Sequence, residues 1–131
     1  MAYQEIEIIL SRQLAEYLSV PVFIVDPEGN LIFYNVPAEI ILGQKFGDTG
    51  PMTVHEWSNM FYPEYDDGSS FPAEELPLIK TLKERSLFHG QFWIRNYNRV
   101  RHKISVSSFP ILSSSNRFLG GMAVFKSDQS I

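Results

Sequence analysis

The side chains that could do chemistry are few and scattered. Histidine occurs three times, at His55, His89 and His102, and no pair has metal-ligand spacing. The acidic run Glu64-Tyr65-Asp66-Asp67-Gly68 loosely resembles a calcium loop. It lacks the alternating oxygen ligands and the distant bidentate glutamate that calcium requires. Glu74 and Glu75 open a helical stretch, where the helix dipole explains them better than acid–base work. Cysteine is absent, which removes disulfides, thiolate-bound zinc, iron–sulfur clusters and every thiol mechanism. There is no nucleophile–base–orienter set and no phosphate-cradling glycine loop. Only His102 falls on an apolar strand face, alternating with Val100, Ile104, Val106 and Ser108. Imidazole ligation is available there, but a core or edge histidine satisfied by hydrogen bonding is the more ordinary reading. The chain therefore reads as non-enzymatic.

Composition bounds what must position these residues. The 131 residues, 44% hydrophobic and 20% charged, suit one globular domain with a real core. A formal charge of −4 lacks the basic footprint of a nucleic-acid binder. Apolar runs are short and the N-terminus has no charged-then-apolar leader pattern, so the expectation is a cytoplasmic chain with no membrane span.

Tyr3, Ile6, Ile9, Leu10, Leu14, Tyr17 and Leu18 recur at helical spacing, with Ile8 off the stripe. Residues 1–18 thus read as an amphipathic cap helix, either folded back on its own domain or forming a dimer. From Pro21 to Asn35, two β-rich runs flank Asp26-Pro27-Glu28-Gly29, and such a short turn forces an antiparallel hairpin. Pro37 to Gly43 reads as a short helix, with Val36 expected at its cap and the Asn35 amide free to tie down the turn. Residues 44–70 show no long period, and Thr53 to Met60 is the candidate helix within them. Pro77 splits the next helical stretch into a one-turn preface over 72–76 and a main helix over 77–85, with Leu78, Ile79 and Leu82 inward. Leu87 to Arg95, Val100 to Leu112 and Arg117 to Lys126, joined by two short polar links, read as an antiparallel meander. Five strands around a helical middle make an α+β domain over 19–128, with 129–131 as a tail.

Taken together, Val25-Asp26-Pro27-Glu28-Gly29-Asn30, Asn35, Gly43, Asp67-Gly68, Pro72-Ala73-Glu74-Glu75-Leu76-Pro77-Leu78, Pro110 and Gly120-Gly121 resemble, in order and spacing, the PAS (Per-Arnt-Sim) sensory domain family. The resemblance implies a five-stranded antiparallel sheet of order 2-1-5-4-3, short helices covering one face, and a cavity between them. It also implies a transmission motif after the last strand, and here the chain departs: Phe125-Lys126-Ser127-Asp128-Gln129-Ser130 shifts the aspartate and lacks the threonine. No output segment follows, so the chain reads as a fragment of a receptor or a free-standing partner protein. Within the family, absence of cysteine excludes a cysteine-adduct flavin and a cysteine-linked chromophore. Haem is disfavoured because Pro72 to Arg85 contains no histidine.

Strand alternation combined with the resemblance nominates a ligand pocket from Phe23, Val25, Leu31, Phe33, Phe92, Ile94, Ile104, Val106, Leu119 and Ala123, covered by Leu78, Ile79 and Leu82. Ser108 and His102 are its polar handles. The expected function is a sensory or interaction module of bacterial signal transduction. It would form a homodimer or dock on a signalling partner, and bind at most a small apolar ligand. The rival expectation is a ligand-free interaction scaffold with a solid core.

Overall fold

A computed structural model describes residues 6–127; Tyr3 of the candidate dimer face and Asp128 of the C-terminal segment lie outside them. The elements run α1 (Ile6–Tyr17), β1 (Val22–Val25), β2 (Leu31–Tyr34), α2 (Val36–Leu42), α3 (Phe46–Thr49), α4 (Val54–Met60), a 3-10 turn (Ala73–Glu75), α5 (Pro77–Glu84), β3 (Phe88–Arg95), β4 (Arg101–Leu112) and β5 (Phe118–Ser127). The strands form one antiparallel sheet of order β2-β1-β5-β4-β3.

The first hairpin closes as its residues dictate. Asp26 Oδ1 accepts the N–H groups of Glu28 (3.0 Å) and Asn30 (2.9 Å), and Gly29 takes φ +92°. The following cap lies one residue earlier than expected. Asn35, not Val36, caps α2, because its Oδ1 can accept the Ala38 N–H (3.2 Å) and a valine has no acceptor to offer. The same oxygen accepts the Val22 N–H (2.9 Å), while Nδ2 donates to the carbonyls of Ala15 and Val20, both at 2.8 Å. One buried amide therefore joins the end of α1, the start of β1 and the start of α2.

Thr53 and Glu56 form a reciprocal capping box that starts α4. Pro77 occupies the first turn of α5, where its missing N–H is harmless, and the 3-10 turn supplies the expected preface. The sequence reading missed α3, whose four residues are too few to show a period. Phe46 anchors it by packing edge-on against Phe33 and Tyr34.

The sheet is covered on both faces. Helices α2, α4 and α5 and the 3-10 turn lie over a core containing Phe23, Val25, Leu31, Tyr34, Phe92, Ile104, Val106 and Ala123. On the other face, α1 inserts Ile8 and Ala15 against Val22, Ile24, Phe33, Ile111, Leu119 and Met122. Phe33 and Leu119 thus belong to the α1 face, against the expectation from alternation. Both are displaced by β-bulges. The β1–β2 register slips between Ile24 and Val25, and the β4–β5 register slips between Ile111 and Leu112. One inserted residue inverts the side-chain phase beyond it.

Gly120 makes the second slip possible. Its φ is +144°, and a Cβ there would run into the Val25 carbonyl oxygen. Gly120→Ala should cost more than about 2 kcal/mol. Gly68→Ala, also at positive φ but in open space, should cost about 1 kcal/mol. Urea midpoints of the two variants measure the difference, and equal losses would remove the steric role of Gly120.

Candidate functional site

Between the sheet and the inner helices lies an apolar cavity of about 80 Å³. Its floor is Phe23 of β1, Phe92 and Ile94 of β3, Ile104 and Val106 of β4, and Ala123 and Phe125 of β5. Its roof is Leu42, Trp57, Phe61, Pro63, Leu76, Pro77 and Leu78. Polar atoms nearby are already engaged. Trp57 Nε1 donates to the Gly29 carbonyl at 2.7 Å, which fastens α4 to the first hairpin turn. The Ser108 and Thr81 hydroxyls bond each other at 2.7 Å, and Thr81 also donates to the Ser86 carbonyl, which fastens α5 to β4. A hole this apolar, with no polar group to hold water, has the character of a dry site.

Several nominated residues sit elsewhere. Val25 and Leu31 are fully buried in the same core without lining the cavity, and Ile79 and Leu82 pack at its margin. Ser108 is no handle, because its hydroxyl turns to Thr81. His102 lies beyond the Ile94 end of the floor, with Nε2 3.3 Å from Asn96 Nδ2. Of the roof, sequence reasoning named Leu78 and missed the rest. Trp57 and Phe61 stand four apart around the candidate helix, and Phe125 continues the alternation of Ala123, so both signals were present.

The second candidate surface is the outer side of α1. Ile8 and Ala15 are 5% and 0% exposed, whereas Ile6, Ile9, Leu10, Leu14 and Tyr17 range from 39% to 88%. The helix therefore docks through the residues that lay off the sequence stripe and presents the stripe itself outward. Leu18 is half-buried against the sheet. Arg12 lies over the Phe33 ring at 4.6 Å and covers one edge of the contact.

No protein-family model and no curated protein matches the sequence. Solved structures match in shape. A PAS domain of a protein from Colwellia psychrerythraea is 15% identical, with TM-score 0.64 over 91% of this chain and 96% of that one. The PAS domain of the fruit-fly ELK potassium channel is 10% identical, with TM-score 0.71 over 98% and 100%. A Rhodobacter sphaeroides LOV protein is 11% identical, with TM-score 0.72 over 95% and 69%. The chain has the PAS fold.

In this PAS fold the acidic run belongs to a strap that pairs with β3 and reaches the cavity only at Pro63. Glu64 pairs its backbone with Trp93 in both directions at 2.9 Å, and Phe61 accepts the Arg95 N–H, so the strap covers part of the sheet edge. Glu64 also receives Arg101 Nε at 2.9 Å and Arg95 Nε at 3.3 Å, and Arg101 stacks 4.0 Å over the Trp93 ring. Asp66 receives Trp93 Nε1 at 2.8 Å and Lys103 Nζ at 3.3 Å. The hydrogen bond from Arg101 holds the Glu64 carboxyl below the usual carboxylate range, and that from Trp93 does the same for Asp66.

Both pKa values are depressed by folding. Their contribution is therefore complete above the ordinary carboxylate pKa of about 4 and is lost as pH falls through the lower folded values. Amide exchange of Glu64 and Phe71, corrected for intrinsic rate, should accelerate below about pH 4. Glu64→Gln should show the same acceleration at neutral pH. A strap equally protected at both pH values in the native chain would remove the carboxylates from this role.

Proposed function

We propose that the chain is a non-enzymatic PAS signalling module that pairs with a second copy of itself through the outer stripe of α1. The supporting observation is the division of that helix, with Ile8 and Ala15 docked and Ile6, Leu10, Leu14 and Tyr17 open to solvent. From Ile6 to Tyr17 this row runs about 16 Å. It carries no charge along its length, so two copies can face each other without burying like charges. An exposed apolar row of this length on a soluble domain marks an interaction surface. Among the described residues no group of acids and histidines could hold a metal, and no helix is long and apolar enough to cross a membrane. A cytoplasmic, bacterial setting is part of the proposal.

The cavity is the sensing element of this reading. A small apolar occupant would alter how α4 and α5 pack on the sheet, and α1, on the opposite face of the same strands, would report the shift in population. A cysteine-adduct flavin does not fit. The sequence has no thiol, the walls present no free donor, and about 80 Å³ falls well short of the roughly 300–1,000 Å³ of cofactor sites. Haem meets the same size limit. The scaffold reading differs only in leaving the cavity empty.

Light scattering on the full chain tests the pairing. The expected result is a dimer that Leu10→Glu together with Leu14→Glu converts to a monomer with unchanged circular dichroism. A monomeric native chain, or a dimer that survives both substitutions, would contradict it.

A further inference from the structure

We propose that Asn96 and His102 form a proton-sensitive latch that holds the β3–β4 turn against the C-terminus of α2. The turn is Asn96-Tyr97-Asn98-Arg99, with Arg99 at φ +61°. Its Asn96 amide has no free position. Oδ1 accepts the N–H groups of Asn98 (2.9 Å) and Val100 (3.0 Å), and Nδ2 donates to the Ile41 carbonyl (3.3 Å) and faces His102 Nε2 (3.3 Å).

Those partners fix which way the amide points. Flipping it would turn Nδ2 toward two N–H donors and leave the Ile41 carbonyl facing an oxygen. Nδ2 can only donate, so His102 Nε2 must accept and its hydrogen must sit on Nδ1. Nδ1 is buried and has no partner. The neutral ring therefore satisfies Asn96, whereas a protonated ring would set N–H against N–H at 3.3 Å with no acceptor at either nitrogen.

Charged neighbours do not compensate. Among the described residues, no hydrogen bond or ion pair of a charged side chain reaches the ring. On β3 the cross-strand partner is Ile94, and the alternating Arg95, Arg101 and Lys103 lie on the other sheet face, with Glu64 and Asp66 on the strap. On α2, Glu39 accepts the Phe46 N–H. In the turn, Tyr97 is phenolic, with its pKa raised by burial.

The latch bears on the cavity through its neighbours. Tyr97 donates its N–H to the Leu42 carbonyl at 3.0 Å and packs its ring edge-on against Phe61 at 5.6 Å. Leu42, Phe61 and Ile94 are all cavity wall. Breaking the Asn96–His102 contact leaves the turn tied to α2 only through the Ile41 and Leu42 carbonyls and loosens that end of the wall. The open turn can carry a protonated ring and the closed one cannot, so falling pH favours opening. The latch goes beyond the dimer and sensing reading and does not depend on it.

Amide exchange by NMR on the full chain tests the latch. Between about pH 7.5 and 5.5, the intrinsic-rate-corrected protection of Tyr97 and Val100 should fall by about tenfold relative to Glu28 and Asn30 of the first hairpin. His102→Gln, which keeps a neutral acceptor for Asn96, should abolish the fall. Nitrogen shifts of the native imidazole at high pH should report the Nδ1–H tautomer, which needs no variant. Protection that tracks the hairpin amides across this range, the same fall in His102→Gln, or an Nε2–H tautomer would each overturn the latch.

Discussion

The structure depends on the side-chain amide of Asn35. It is 1% exposed, and its two acceptor and two donor positions are all filled by backbone groups from three different elements. A buried amide left half-satisfied costs about 1–3 kcal/mol per missing partner. The amide therefore couples the placement of α1, β1 and α2. The outer helix belongs to one core cluster and α2 to the other, on opposite faces of the sheet. Asn35 is the polar joint between them.

Around this joint the molecule is organised by apolar packing. Strands β1 and β5 are buried on both faces and read as continuous hydrophobic runs. Polar side chains within the core act as fasteners. Trp57 ties α4 to the hairpin turn, Thr81 and Ser108 tie α5 to β4, and Asn96 ties the β3–β4 turn to α2. With these groups engaged, the cavity wall has no reactive side chain to offer. What distinguishes the domain is therefore its shape, its small hole and the apolar row left outside.

Much of this was legible in the residues. The Asp26–Gly29 turn, the proline at the start of α5, the Thr53–Met60 helix and the three-strand meander carry local signals strong enough to survive tertiary packing. What was not legible involves partners distant in sequence. Capping chemistry at Asn35 prevailed over the steric bias at Val36 because the amide could also serve Ala15, Val20 and Val22. Alternation placed Phe33 and Leu119 on the wrong face, since a bulge is set by the neighbouring strand and not by the strand's own pattern. The spacing of α1 drew attention to its broad stripe, yet the narrow side of Ile8 and Ala15 fits the sheet, because Ala15 lets the helix approach closely. The PAS fold was readable as a pattern of turns and prolines, while the cavity roof depended on which aromatic rings of the middle segment met.

The joint can be tested with one substitution that breaks only half of it. Asn35→Asp keeps the oxygen that accepts from Val22 and Ala38 but replaces the donor to Ala15 and Val20 with an oxygen that their carbonyls repel. Hydrogen exchange measured along the whole chain should then show α1 losing protection while the Asp26–Asn30 turn keeps it, with the amides of α2 and α4 following α1 in part. An α1 as protected in the variant as in the native chain would contradict the claim that this amide holds the outer helix to the rest of the molecule.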